Sequence, residues 1–222
     1  MARRLQRAGD LLVPRVKGTT LDIGCGDGSN TEIIAKNASN ARLVAMDIAY
    51  NLTLQGKEGK DPSVTNIEYI VADASYLPFR DDAFDLVFAL ATLHHVVALE
   101  RCINDIARVC KDELVIAEPN KFSYQSLFLG SRAPFKFVWR GGMDPHERPL
   151  SPLFIKSILK RSRFKHVDIK ARTTIPAIGF VIDLFKINAK WLILLDEKIT
   201  RIINKTFLRY FCSTFILTSR AR

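Results

Sequence analysis

Between an apolar run and a helix-like stretch the chain reads Leu21-Asp22-Ile23-Gly24-Cys25-Gly26-Asp27-Gly28. Glycines so closely spaced permit positive φ and let a ligand come up against the backbone. The GxGxG spacing departs from the GxGxxG of nicotinamide and flavin sites. The strand also ends in an acid, Asp22, which would repel a pyrophosphate but suits a ligand that brings an ammonium group and no phosphate. Asp47 stands 19 residues beyond Gly28 at the end of a second apolar run, where a carboxylate can accept hydrogen bonds from both hydroxyls of a ribose. Asp73 follows a third run, in Val71-Ala72-Asp73-Ala74-Ser75, and can reach the exocyclic amine of an adenine. Asp47 or Asp73 alone reads at least as well as a surface cap or turn; all three acids together with the loop describe a site for an adenosine carrying a cationic amino acid tail.

Candidates for proton transfer are few. His94 and His95 follow the fourth apolar run, and an imidazole there can orient or deprotonate a hydroxyl acceptor. His146, in His146-Glu147-Arg148-Pro149-Leu150-Ser151, is a third candidate, and Glu118 and Asn120 stand at the end of the fifth run. The competing expectation for each histidine is a cap, a packed ring or an exposed loop residue. The four cysteines form no CxxC pair and have no His at metal-ligand spacing, so they read as reduced core thiols, and no metal site is expected.

Positioning these groups requires strand ends at one edge of a sheet. Runs at Thr20–Ile23, Arg42–Met46, Ile67–Val71, Phe84–Ala89 and Glu113–Ala117 alternate with helix-like segments, among them 29–36 and 99–109, as in a mostly parallel, doubly wound α/β sheet. Such sheets take ligands at the carboxyl ends of their strands. Periodicity then weakens over 121–150, a candidate lid. Ser151 can cap a helix with Pro152 at its first position, running to about Lys160. Strands are expected at His166–Lys170 and near 213–219, separated by about forty residues that read as helical from Ile178 to Tyr210.

The 222 residues carry a formal charge of +10 with 48% hydrophobic residues, enough apolar side chain for a real core. Residues 1–120 are net −4 and residues 121–222 net +14, so the second half should attract anions: phosphorylated substrates, lipid headgroups or nucleic acid. Within 173–212, Lys198, Arg201, Lys205 and Arg209 fall three and four apart, with Ile199, Ile202, Ile203 and Tyr210 mainly opposite, the pattern of a basic amphipathic helix. The first sixteen residues are basic but lack an apolar h-region and cleavage site, so a signal peptide is not expected, and Asp183 interrupts the longest apolar stretch. A cytoplasmic location, with peripheral contact to an anionic membrane, is the expectation.

Through LDIGCGDG, AMDI, ADASYLPFRDDAFDLVFA, the His94-His95 pair and ELVIAEPN, the chain resembles the class I S-adenosylmethionine-dependent methyltransferases, in particular the small group that includes ubiquinone and menaquinone biosynthesis methyltransferases (methyltransferase type 11). The likeness is strong over residues 19–120 and weaker to the last strand. It implies a Rossmann-like, seven-stranded sheet in the order 3-2-1-4-5-7-6, the last strand antiparallel, within one domain whose residues 1–120 bind the cofactor, S-adenosylmethionine. Carried over by motif, Asp22, Gly24 and Gly26 would hold its methionine part, Asp47 and Ile48 the ribose and adenine, and Asp73 and Ala74 the adenine edge. Ala89 would lie near the sulfonium, and Asp81 to Asp85 would be structural. The helical insertion before the last strand departs from the simplest members of that family.

The function expected is methyl transfer to oxygen or carbon of a small or lipid-like acceptor. Two rivals stand beside it: an RNA or DNA methyltransferase using the basic second half, which lacks an NPPY-like motif, and a non-catalytic S-adenosylmethionine-binding protein.

Overall fold

The computed structural model describes residues 11–122, 149–164, 166–173, 190–212 and 214–221. Its strands are β1 (Thr19–Ile23), β2 (Arg42–Asp47), β3 (Ile67–Val71), β4 (Phe84–Leu90), β5 (Cys110–Pro119), β6 (His166–Thr173) and β7 (Thr214–Arg220). They form one sheet in the order β3-β2-β1-β4-β5-β7-β6. The first five run parallel, and β7 is antiparallel to both β5 and β6, as the resemblance implies.

Five α-helices are described: α1 (Ser29–Asn37), α2 (Tyr50–Gly59), α3 (Leu99–Val109), α4 (Pro152–Arg161) and α5 (Lys190–Ile203). In α3, Leu99, Cys102, Ile103, Ile106 and Ala107 recur at three- and four-residue spacing and are all buried. They join α4 and the inward residues Leu21, Ile23, Val87 and Ala89 in one core. Alternate residues Leu43, Leu86, Phe88 and Val115 face the other way, onto Ile34 and Ala35 of α1. Helix α4 starts as its sequence predicts: Ser151 Oγ accepts the Phe154 N–H at 3.2 Å, with Pro152 next in line. Asp85, in the segment read as structural, accepts the Thr19 N–H at 2.9 Å and so ties β4 to the start of β1.

Helix α2 was not legible in the sequence because its sides are inverted: Tyr50 and Leu52 are exposed, and its buried residues are Thr53 and Gly56. A Cβ on Gly56 would lie 2.6 Å from the Asp27 carbonyl, so glycine lets α2 come up against the loop after β1.

The insertion also differs from expectation. Among the described residues its helix ends at Ile203 and does not continue to Tyr210; a 3-10 turn follows at Phe207–Phe211. The stop has a physical reason. Asn204 Oδ1 accepts the Ala171 N–H at 2.6 Å and its Nδ2 donates to the Ala171 carbonyl at 3.1 Å, so this side chain completes the hydrogen bonding of edge strand β6. Residues 174–189, within the expected insertion 173–212, and 123–148, within the expected lid, lie outside the described residues. The ends of the latter segment meet: Lys121 N–H donates to the Leu150 carbonyl at 2.9 Å and Leu150 N–H to the Pro119 carbonyl at 3.1 Å.

Candidate functional site

Parallel pairing sets the three acids in a staircase. Asp22 of β1 is level with Ala45, two residues short of Asp47, and Asp47 of β2 is level with Val71, two residues short of Asp73. Each strand toward β3 therefore carries its carboxylate one step nearer the open edge, and the lowest step is enclosed.

Asp22 is 3% exposed, and the Thr31 hydroxyl of α1 donates to its Oδ2 at 2.6 Å. Burial pushes its carboxyl up to about 7, offset in part by the Thr31 hydrogen bond and reinforced by the charge of Asp47. Asp22 is thus enclosed next to α1 at the end of β1.

Asp47 stands at the rim and holds that loop. Its Oδ2 accepts the Gly26 N–H at 2.8 Å and its Oδ1 the Ala49 N–H at 2.9 Å, leaving each oxygen a lone pair for another donor. Gly24, Gly26 and Gly28 all have positive φ, between 56° and 74°. A Cβ on Gly24 would strike the Thr92 side chain, 2.1 Å away, whereas a Cβ on Gly26 would meet nothing within 4 Å. The loop is thus packed on its inner side and open at Gly26, which leaves room for a ligand against its backbone. Ile48, 68% exposed, stands beside Asp47 as an apolar surface for a flat ring. Exposed Asp73 caps its own turn, accepting the Ser75 N–H at 2.7 Å, and Ala74 is partly buried next to it. Ala89 is fully buried in the core, and the first exposed residue after β4 is Ala91, whose φ of 56° turns the chain.

The turn after β4 is organised from β5. Glu118, 1% exposed, accepts the Thr92 and Leu93 N–H groups on Oε1 at 2.9 and 2.7 Å, and its Oε2 lies 2.7 Å from Nδ1 of His94. His94 is itself 1% exposed, its Nδ1 engaged by Glu118. His95 is exposed, its ring 4.1 Å from that of His94. His146 lies outside the described residues. Asn120 is buried, donating to the Tyr210 and Cys212 carbonyls at 2.8 and 2.9 Å, so it anchors the insertion and does not line a pocket.

All four cysteines are buried thiols. Burial, with Asp22 and Asp47 nearby, drives the Cys25 thiol far up, which removes it as a nucleophile. No metal-binding cluster occurs among the described residues. Beyond His95, a cleft of about 540 Å³ opens between the start of α3 and the start of α4, lined by Val97, Leu99, Arg101, Lys121, Leu150 and Phe154 among others. Nothing in the sequence pointed to it, because its walls are distant along the chain.

Residues 21–116 match the family model described as "Methyltransferase domain". A malonyl-[acyl-carrier protein] O-methyltransferase of Geobacter sulfurreducens is 28% identical over 151 residues, covering 67% of this chain and 56% of that protein. A demethylmenaquinone methyltransferase of Clavibacter sepedonicus is 30% identical over 143 residues, 62% of this chain and 51% of its own. The human mitochondrial arginine-hydroxylase NDUFAF5 is 32% identical over 101 residues, 46% of this chain and 28% of its own. The chain thus spans about half the length, or less, of these curated relatives. A solved S-adenosylmethionine-dependent methyltransferase of Archaeoglobus fulgidus, 22% identical, shares the fold over 98% of this chain and 94% of that one, with a TM-score of 0.64.

The fold is that of the solved S-adenosylmethionine-dependent methyltransferase, and the glycine loop with Asp22, Asp47 and Asp73 lies within the residues that match the methyltransferase domain. Residues 21–116 are thus similar to methyltransferase domains.

Proposed function

We propose that the protein transfers a methyl group from S-adenosylmethionine to an oxygen or carbon of a small or lipid-like acceptor. The observation that carries this reading is the rim carboxylate of Asp47, fixed by Gly26 and Ala49 beside a loop that is open at Gly26. Asp47 and Ile48 would hold the ribose and adenine, Asp73 and Ala74 the adenine edge, and the Gly24–Gly26 backbone the methionine part, with buried Asp22 balancing its ammonium charge from below. When bound, the cofactor supplies a methyl group on an already activated sulfonium leaving group.

What the chain must add is position. Holding two reactants at attack distance is worth ~7 to 11 kcal/mol, more than a general base adds. His95, exposed on the turn that Glu118 braces, is the candidate to orient or deprotonate the acceptor. The cleft beyond it offers Val97, Leu99 and Phe154 for an apolar body and Lys121 for an anionic head, which supports an amphiphilic acceptor.

The test is incubation with methyl-labelled S-adenosylmethionine and panels of hydroquinones, fatty acyl carboxylates and acyl thioesters, and tRNA, followed by mass analysis. A gain of one methylene on a small amphiphile supports the reading. Label in tRNA alone would favour the nucleic-acid rival, one added oxygen a hydroxylase, and tight cofactor binding with no product in any panel a non-catalytic role.

A further inference from the structure

Helix α5 turns Ile203 toward the core together with two polar residues, and leaves large aliphatic side chains outside. Asp196 and Thr200, four residues apart on one side, are 1% and 8% exposed, whereas Leu194 and Ile202 on the other side are 57% and 66% exposed. At 100° per residue the outward face reads Glu197, Arg201, Leu194, Lys198, Ile202, Leu195 in angular order, so beyond one bordering acid the cations alternate with aliphatic side chains that point to solvent. The expectation from sequence, a basic face opposite Ile199, Ile202 and Ile203, is therefore corrected: Ile202 shares the outward face with the cations.

The pattern continues beyond the helix, where Phe207, Leu208 and Phe211 are exposed next to Lys205. Of the fourteen large exposed hydrophobic residues among those described, six fall between 194 and 211. Scattered exposed apolar residues need no explanation, but a concentration like this marks a contact surface. A water-facing helix carries the opposite arrangement.

We propose that this surface docks on an anionic lipid bilayer, its aliphatic and aromatic side chains entering the interfacial layer while Lys198, Arg201 and Lys205 meet the headgroups. Charge selects that occupant. Residues 190–212 hold five cations against two acids, within a half of the chain that is net +14. A second copy of the chain would set the same cations against each other, and a nucleic acid would leave the aliphatic residues unburied. An anionic bilayer answers both kinds of side chain. No described helix is long and apolar enough to cross a membrane. The inference stands apart from methyl transfer and is tested without turnover.

The experiment is flotation of the whole chain with vesicles of phosphatidylcholine alone or with added phosphatidylglycerol, at low and high salt. It compares wild type with Lys198→Glu/Arg201→Glu/Lys205→Glu and with Leu194→Ser/Ile202→Ser/Phe207→Ser. These positions are exposed, so both variants should fold, checked by an unchanged melting temperature and S-adenosylmethionine affinity. Wild type should float with the anionic vesicles only and be released by salt. The charge reversal should cut partition by ~100-fold or more, and the serine variant should also lose it. The proposal is overturned if wild type ignores anionic vesicles, or if either folded variant floats as well as wild type. It is equally overturned if wild type binds tRNA but no vesicles, or if sedimentation shows a wild-type dimer that the serine variant dissolves while vesicle binding is absent.

Discussion

The carboxylate of Glu118 meets Nδ1 of His94 at 2.7 Å, with both side chains out of contact with solvent. Its other oxygen holds two backbone N–H groups of the turn after β4, so a residue at the end of β5 shapes the segment that presents His95. Glu118 thus joins β5 to this turn through both of its oxygens.

Removing Glu118 takes the acceptor from the Thr92 and Leu93 N–H groups and from Nδ1 of His94. Glu118→Ala should destabilise the fold by about 3 to 5 kcal/mol, as breaking a buried charged network does. Urea denaturation measures this, and a double-mutant cycle with His94→Ala should give a coupling energy above about 1 kcal/mol. Additive losses would mean that the pair does not act as a unit.

His95 separates from His94 by burial. His95→Ala should leave the melting temperature and cofactor affinity unchanged while lowering kcat on the acceptor by ~10²- to 10⁴-fold if it acts as a base. His94→Ala should instead lower stability first. An unchanged kcat in His95→Ala would leave positioning alone to carry the reaction.

Asp47 is expected to govern the cofactor. Asp47→Ala removes hydrogen bonds to a ribose as well as those to Gly26 and Ala49, and a charge-assisted hydrogen bond is worth ~1.5 to 3 kcal/mol. Calorimetry should show S-adenosylmethionine affinity falling at least about tenfold, and nicotinamide dinucleotides should fail to compete with wild type. Retained affinity would remove Asp47 from the site.

Asp22 makes a prediction in pH. Its carboxyl titrates near 3.8 in an unfolded chain but is raised to about 7 by burial in the native one. Between those values the native state binds more protons, so this group costs stability as pH rises from 4 to 7, by up to about 1.4 kcal/mol per pH unit. Asp22→Asn cannot titrate, and its amide oxygen can still accept the Thr31 hydroxyl. Its unfolding free energy relative to wild type should therefore climb across that window and level off above pH 7. A pH-independent difference would show that Asp22 is ionised throughout.

The order of elements was readable because both periodicities are strong. The buried stripe of α3, the Ser151-Pro152 start of α4 and the apolar runs of β1 to β5 each satisfy a local rule, and the glycine loop with strand-end acids named the ligand class without any contact being known. What local rules cannot supply is depth. Asp22, Asp47 and Asp73 look alike as strand-end acids, yet parallel register places Asp22 two residues inside the rim, where burial changes its charge chemistry. His94 and His95 are neighbours in sequence, but only the return of β5 with Glu118 decides which one is enclosed. The same holds for the basic insertion: helical spacing names two faces, and only the packing of Asp196 and Thr200 inward shows that Ile202 turns outward. Sequence determined which groups exist and at what spacing along each element; burial and cross-strand register, which depend on residues far apart in the chain, decided which of them face a ligand, the core or an outer surface.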